Sequence, residues 1–204
     1  MFIELTEALR CPRAHEESYV VCIPLAMDGR SVTRGVLGCP VCQAEFLVTD
    51  GIADFAGPAP RSPVPPSPPS PRPAELTAEA VQAFIDLRGP GGYVLLVGSA
   101  GRVGPELAAA LGRVHVVGVN PPPGIAPVDG FSILRSPDGL PIKRNSMRAV
   151  VVGHDAAHGE WLAAALGAVL PGLRAVIEDE TVRPAGFAEL ARGAGVVVGE
   201  RQNR

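Results

Sequence analysis

Aromatic residues are scarce in this 204-residue chain, where Phe, Trp and Tyr make up 4% of positions. The chain also lacks an apolar run of about 18 residues, the length that a membrane helix requires, and its first residues lack the basic and apolar segments of a secretory signal. No excess of positive charge is present, since 18 Lys and Arg stand against 21 Asp and Glu. These absences predict a cytoplasmic protein without membrane contact and without extensive nucleic-acid contact. The short basic group of Lys143, Arg144 and Arg148 is most simply a solvated loop.

Proline is abundant, and nine of its 22 copies fall in one segment. Residues 57–74 contain nine prolines in eighteen positions. Such a segment forms neither helix nor sheet and is typical of a semi-rigid polyproline II spacer. The composition therefore predicts a first domain over residues 1–56, a Pro-rich linker over residues 57–74 and a second domain over residues 75–204.

Cysteine is confined to the first fifth of the chain, at positions 11, 22, 39 and 42. Without a secretion signal, this clustering favours a metal over disulfides. Two apolar runs flank the turn signal Asp28-Gly29, which predicts a hairpin in a unit too small to be stable on its own core. A structural zinc ion needs four tetrahedral Cys or His ligands. The best predicted set is Cys11, His15, Cys39 and Cys42, and Cys22 is the alternative fourth ligand in place of His15.

Residues 4–56 resemble a known family. The segments LRCPRAHEE and GCPVCQAEFLVTDGIADF are similar to the small zinc ribbons that partner and activate methyltransferases for tRNA and translation release factors. Ala14 stands where a second cysteine of the first Cys-Pro segment is expected in that family. The resemblance implies a structural zinc ion and a protein partner, either a methyltransferase or another enzyme.

After residue 75 the pattern alternates between helices and Val-rich strands. A helix with Thr77 as its N-cap precedes the strand YVLLVG, and later strands are VHVVGV, FSIL, AVVVG, LRAVIE and GVVVGE. Helices are predicted over residues 105–111, with Gly112 past the end, and over residues 158–170 and 185–192. Buried strands that alternate with helices favour a parallel sheet covered on both faces. The predicted fold class is α/β, a small β-rich zinc ribbon followed by a Rossmann-like domain.

The glycine-rich turn YVLLVGSAGRVG lies between the first strand and the next helix, where backbone can approach a nucleotide. Residues 75–200 resemble class I methyltransferases that use S-adenosylmethionine. The resemblance places Gly98, Ser99, Gly101, Asn120 and Ser136 in the cofactor site.

Several positions depart from that family. Leu96 replaces an acid in the first strand, Asn120 replaces the acid that holds the ribose, Ala100 replaces a glycine, and Arg148 replaces an aspartate. The family ends with a sixth strand and an antiparallel seventh, and the chain is expected to lack the seventh. His154 and Asp155, after the fourth strand, are the candidates for a catalytic base and the acid that orients it. Glu178, Asp179 and Glu180 are expected to form a solvated acidic loop.

Three functions follow as alternatives. The first is a non-catalytic, methyltransferase-like scaffold or activator with a zinc ribbon and a degenerate cofactor site. The second is an active S-adenosylmethionine-dependent methyltransferase of unknown substrate. A sensor of another nucleotide would need only the glycine turn and a helix amino terminus.

Overall fold

The computed structural model describes residues 1–56 and 76–202, so the Pro-rich linker predicted over residues 57–74 lies outside the described residues. The described chain contains eleven strands and three α-helices. The strands are β1 Val21–Asp28, β2 Ser31–Gly38, β3 Glu45–Thr49, β4 Ile52–Asp54, β5 Tyr93–Val97, β6 His115–Val119, β7 Phe131–Arg135, β8 Met147–Val152, β9 Val169–Ile177, β10 Phe187–Gly193 and β11 Val196–Arg201. The helices are α1 Ala78–Ile85, α2 Gly104–Leu111 and α3 Gly159–Ala168.

All eleven strands form one sheet, in the order β1-β2-β3-β4-β7-β6-β5-β8-β9-β11-β10. The strands from β4 to β9 in this order run parallel to one another. The strands β1 to β4 and the last hairpin are antiparallel. The mixed α/β class with a parallel sheet is therefore confirmed.

The carboxyl-terminal part corrects two predictions. Residues 187–193, expected within a helix over 185–192, form strand β10 and pair with β11. Strand β11 also pairs antiparallel with β9, from Val197 opposite Ile177 to Glu200 opposite Arg174. The prediction that the last antiparallel strand is missing is therefore wrong. The turn at Ala194 and Gly195, both at positive φ, folds the Val-rich end back onto the sheet, and this pairing outweighs the helical preference of Ala, Glu and Leu.

The first 56 residues join the sheet directly. Strand β4 pairs in parallel with β7, with Ile52 opposite Ile133 and Asp54 opposite Arg135. Phe55 continues this pairing, because its amide donates to the Arg135 carbonyl at 2.7 Å. Buried residues of the amino-terminal part, such as Leu5, belong to the same core as Leu134. The two parts therefore share one sheet and one core.

The helices cover both faces of the parallel strands. Helix α1 begins after Thr77, whose side chain accepts a hydrogen bond from the Ala80 amide at 3.2 Å, as the N-cap prediction requires. Alternate residues of a strand point to opposite faces, so Leu96 packs with α1 and α2 while Leu95 packs with α3. Within residues 1–56 and 76–202, no helix combines the length and apolarity needed to cross a membrane.

Candidate metal centre and glycine turn

Two loops bring the four predicted zinc ligands together. Cys11 and His15 precede β1, and Cys39 and Cys42 lie in the turn between β2 and β3. One ligand atom from each residue lies within 4.8 Å of the others. Cys11 Sγ is 3.7 Å from Cys42 Sγ, and Cys39 Sγ is 3.5 Å from His15 Nε2. The amide of Cys39 donates to the Ala44 carbonyl at 2.9 Å, which closes the turn.

These separations fit a tetrahedral zinc ion. With Zn–S near 2.3 Å and Zn–N near 2.0 Å, the edges of a tetrahedron are about 3.8 Å between two sulfurs and about 3.6 Å between sulfur and nitrogen. The observed 3.7 Å and 3.5 Å match both edges. Three sulfurs and one imidazole also form a closed structural donor set, with no position left for water.

The His15 ring is oriented for this role. Its Nδ1 lies 2.6 Å from the Glu16 carbonyl oxygen, a distance at which Nδ1–H donates. With the proton on Nδ1, the lone pair on Nε2 faces Cys39. A second hydrogen bond that fixes the tautomer is the usual support of a metal-binding histidine.

The thiols differ in acidity before any metal is considered. Burial raises the pKa of Cys11 to about 12. Burial acts in the same direction on Cys39, but hydrogen bonds from the backbone amides of Cys42 and Val41 outweigh it and lower the pKa of Cys39 to about 7. A thiolate at Cys39 is the form that binds metal.

Cys22 is not part of this group. It lies in β1, is half-buried and packs against the core. Burial raises the pKa of its thiol, as expected for a small apolar residue. The alternative in which Cys22 replaces His15 therefore has no support in the geometry of the described residues.

The glycine turn is occupied by the chain's own carboxylate. Gly98 has φ +64°, and a Cβ atom there would meet the Asp155 carboxylate oxygens at 2.5 and 2.7 Å. Asp155 Oδ1 also accepts a hydrogen bond from the Ser99 amide at 2.8 Å. The close approach of backbone that glycine permits is therefore made by Asp155. Within the described residues, the catalytic candidate Asp155 makes a hydrogen bond to the turn and none to His154.

Gly101 is covered in a similar way. A Cβ atom on Gly101 would meet Pro121 Cβ at 2.6 Å and Pro121 Cα at 2.9 Å. Pro121 directly follows Asn120, at the end of β6. The glycine therefore permits close packing of the loop after β6 onto the turn, which is the structural use of such a residue.

Asn120 and Ser136 pair with each other. Asn120 Nδ2 donates to the Ser136 carbonyl at 2.7 Å, and the Ser136 amide donates to Asn120 Oδ1 at 2.8 Å. The Ser136 hydroxyl donates to the Gly139 carbonyl at 2.6 Å. Both polar ends of the Asn120 side chain and the hydroxyl of buried Ser136 are thus used inside the chain.

His154 is exposed and contacts the turn through one atom pair, Nδ1 to Ser99 Oγ at 3.2 Å. His158 is also exposed and precedes α3. General-base catalysis by histidine works best when a carboxylate orients the ring, and the carboxylate beside His154 is directed to Ser99 instead. This arrangement holds a turn in place.

An ion pair beside the turn was missed by the sequence interpretation. Arg102 follows the glycines, and its guanidinium meets both carboxylate oxygens of Glu178, one of them at 3.1 Å. The guanidinium also donates to the Ser99 carbonyl at 2.9 Å. Glu178 is 5% exposed, so its expected place in a solvated acidic loop is wrong. The sequence did contain a signal for this burial, because Glu178 directly follows the apolar strand β9, whose side chains are buried at that end.

The predicted basic loop is also partly engaged. The Arg148 guanidinium donates to the carbonyl oxygens of Arg88, Gly89, Pro90 and Gly91 at 2.6 to 3.2 Å. Lys143 Nζ donates to the Glu7 carbonyl at 2.8 Å. These two residues therefore organise loops.

Comparison with known proteins gives structural likeness alone. No protein-family model and no curated protein matches the chain. Among solved structures, the antibiotic-resistance methyltransferase Kmr is 15% identical, with a TM-score of 0.42, over 64% of this chain and 95% of that one. Geranyl diphosphate methyltransferase in complex with SAM is 10% identical, with a TM-score of 0.44, over 61% and 84%.

A third likeness is to a complex that contains the Trm112 methyltransferase activator of Haloferax volcanii. The identity is 19% and the TM-score is 0.41, over 50% of this chain and 50% of that chain. The present chain thus spans half the length of that match. The α/β fold assignment rests on the strand order and strand directions of this chain itself.

Proposed function

We propose that this chain is a non-catalytic, methyltransferase-like scaffold that is stabilised by a structural zinc ion and binds a protein partner. The observation that carries the proposal is the contact of Asp155 with Gly98 and Ser99. A ligand that approaches the turn would have to displace a hydrogen-bonded carboxylate.

The loss of acids supports the same proposal. Leu96 is fully buried in the core, so the first strand offers no carboxylate to a cofactor. Asn120 has both side-chain ends bonded to Ser136. A neutral amide also gives weaker hydrogen bonds than a carboxylate. Cofactor recognition would therefore lack both charge-assisted contacts.

Zinc is the metal that the amino-terminal donor set fits. Cys11, His15, Cys39 and Cys42 would hold it. A closed site of this kind contributes folding energy and joins the loop before β1 to the turn between β2 and β3. Its chemistry is structural, because all four positions are filled by protein.

Exposed aliphatic side chains on β1, at one edge of the sheet, support a protein partner. Val21, Ile23, Leu25 and Met27 are 45 to 61% exposed. Ile23 lies in register with Val36 and Leu47 on the next two strands, and Leu47 is 57% exposed. Pro24 removes one backbone donor from the strand, which disfavours pairing with another strand. We therefore propose that a partner binds through these aliphatic side chains.

The cofactor test is calorimetric titration of folded, zinc-quantified protein with S-adenosylmethionine and S-adenosylhomocysteine. We expect no saturable binding, and binding tighter than about 100 µM, roughly −5.5 kcal/mol, would overturn the proposal. The same titration of Asp155→Ala separates two cases. No binding by that variant agrees with a lost site, whereas binding by that variant alone would mean an intact site blocked by Asp155.

The partner test compares two charged substitutions on exposed aliphatic residues. Ile23→Lys on β1 is expected to abolish binding of a partner recovered with the wild-type chain. Leu190→Lys is the matched control, because Leu190 is 48% exposed on β10, at the opposite edge of the sheet. Equal recovery with both variants would contradict a binding surface on β1.

An active methyltransferase is the second candidate, and one observation favours it. Strand β11 is present and antiparallel to β9, so the sheet is more complete than the sequence predicts. Saturable cofactor binding followed by transfer of a labelled methyl group to an acceptor would establish this candidate.

A further inference from the structure

A cationic cleft of about 620 Å³ lies between α3, the loop before β8 and the hairpin of β10 and β11. Three arginines line it, Arg144, Arg183 and Arg201, and no carboxylate side chain among the described residues does so. This local excess of positive charge contrasts with the chain as a whole, in which Asp and Glu outnumber Lys and Arg. Glu200, the nearest acid along β11, alternates onto the other face of the strand.

Two of the arginines meet at the end of α3. Arg201 Nη1 donates to the Gly167 carbonyl at 3.0 Å and also to the Val169 carbonyl. The Arg144 guanidinium atoms lie 3.7 to 3.9 Å from the position of a Cβ atom on Gly167. The carboxyl end of a helix attracts cations, which explains Arg201. Exposed Arg144 forms no hydrogen bond or ion pair within the described part of the chain.

Arg183 faces the same cleft from the loop before β10. Its Nη1 donates to the carbonyls of Glu180, Thr181 and Val182 at 3.0 to 3.2 Å, which holds the guanidinium in place. In both Arg183 and Arg201 the donor of these hydrogen bonds is Nη1, so Nη2 and Nε remain for a ligand. Guanidinium groups bind carboxylate and phosphate oxygens with two parallel hydrogen bonds. Three guanidiniums around one cleft therefore favour an oxyanion.

The remaining wall of the cleft is apolar. Leu162 and Leu166 come from α3, and Phe187 begins β10. Phe187 lies directly opposite Arg201 in the antiparallel pair, so both side chains are on the same face of the hairpin, and both line the cleft. A volume of this size is within the range of small-molecule sites, which combine apolar walls with a few polar groups.

We propose that this cleft binds a small organic anion, a molecule with an apolar body and a phosphate or carboxylate head group. The head group contacts Arg144 and Arg201, and the body packs against Leu162 and Phe187. The site is separate from the metal centre and the glycine turn, and it requires neither zinc nor S-adenosylmethionine.

The test is calorimetric titration of the full chain at low ionic strength with four probes: 2-naphthyl phosphate, 2-naphthoate, 2-naphthol and inorganic phosphate. At least one of the two naphthyl anions is expected to bind one to one with a Kd of about 1 mM or tighter. Naphthol and inorganic phosphate are expected to bind at least about tenfold more weakly, because each lacks one half of the ligand. A preference between the two anions identifies the head group as phosphate or carboxylate.

Two variants test the residues. Arg144→Gln is expected to weaken binding of the naphthyl anion about fivefold or more without a change in Tm, because Arg144 is exposed and unpaired in the described structure. Arg34→Gln is the matched control, an exposed arginine on β2, and should leave the Kd unchanged. The proposal is overturned if neither naphthyl anion saturates, if inorganic phosphate binds as well as they do, or if Arg144→Gln has no effect.

Discussion

The carboxylate of Asp155 accepts a hydrogen bond from the Ser99 amide at 2.8 Å, across 56 positions of sequence. This contact joins the end of β8 to the end of β5, where two parallel strands lie side by side. Gly98 makes it geometrically feasible, since any side chain there would collide with the same carboxylate. The glycine and the acid therefore act as a pair.

Gly98→Ala is expected to destabilise the fold by about 2 to 4 kcal/mol, because a Cβ adds both a collision and an unfavourable positive φ. Gly112→Ala is the control for the φ effect alone, since Gly112 has φ +56° and nothing within 4 Å of a Cβ; a loss near 1 kcal/mol is expected there. Urea unfolding measures both. In the double variant Gly98→Ala with Asp155→Ala, the combined loss should be smaller than the sum, and strict additivity would contradict the contact.

Purified protein is expected to contain about one zinc ion per chain, measured by elemental analysis, because four ligand atoms match the tetrahedral edges. Cys39→Ser should lose the metal and lower the Tm by about 5 °C or more. Cys22→Ser should retain the full zinc content, since Cys22 lies outside the group of four ligands. Zinc retained in Cys39→Ser but lost in Cys22→Ser would show that the ligand set is misassigned.

The ion pair of Arg102 and Glu178 is buried on the Glu178 side, where the side chain is 6% exposed. Removal of one partner leaves a buried charge, so Arg102→Met or Glu178→Met is expected to cost about 3 kcal/mol of unfolding free energy. The double variant should cost clearly less than the sum of the two. As a control, the exposed carboxylate of Glu189 pairs with Arg192, and Glu189→Gln should change stability little. A double-mutant cycle without coupling would refute the role given to this pair.

Burial lowers the pKa of His115 to about 4, from 6.5 in an unfolded chain. Between these values the unfolded chain binds a proton that the folded chain does not. Stability is therefore unaffected by this group above pH 6.5 and falls as the pH drops from 6.5 toward 4, by about 1 to 2 kcal/mol once the exposed part of the ring is discounted. Unfolding curves recorded across this range measure the slope.

His115→Gln should flatten that slope, because the titrating ring is gone. His158→Gln should preserve it, since His158 is exposed before α3. Loss of zinc at acid pH affects all three proteins alike, so the difference between the variants isolates His115. Parallel slopes for wild type and His115→Gln would rule out a contribution from this residue.

The sequence predicted those elements whose signals are local. The turn signal Asp28-Gly29 lies at a hairpin between β1 and β2, Thr77 caps α1, and the Val-rich runs of β5, β6 and β8 form parallel strands. In each case the residues that determine the element lie within it or next to it, so propensity and periodicity were sufficient.

The wrong elements depended on distant partners. Residues 187–193 contain good helix formers, yet they form β10 because β11 offers a strand to pair with. Glu178 and Arg102 are 76 residues apart, and Asp155 is far from the turn that it contacts. Side chains that meet across such separations are set by tertiary packing. Both the strand at the end and the filled glycine turn were therefore beyond local sequence signals.

Strand β4 also has a consequence for the order of folding. Its antiparallel partner, β3, lies within the first 56 residues, but its other neighbour, β7, begins at Phe131. During synthesis, the amino-terminal strands emerge well before the strand that completes their edge, and closure of that long loop is entropically costly. The metal-binding loops lie on the early side of this boundary. A zinc ion bound there would stabilise the amino-terminal strands until β7 has been synthesised and can pair with β4.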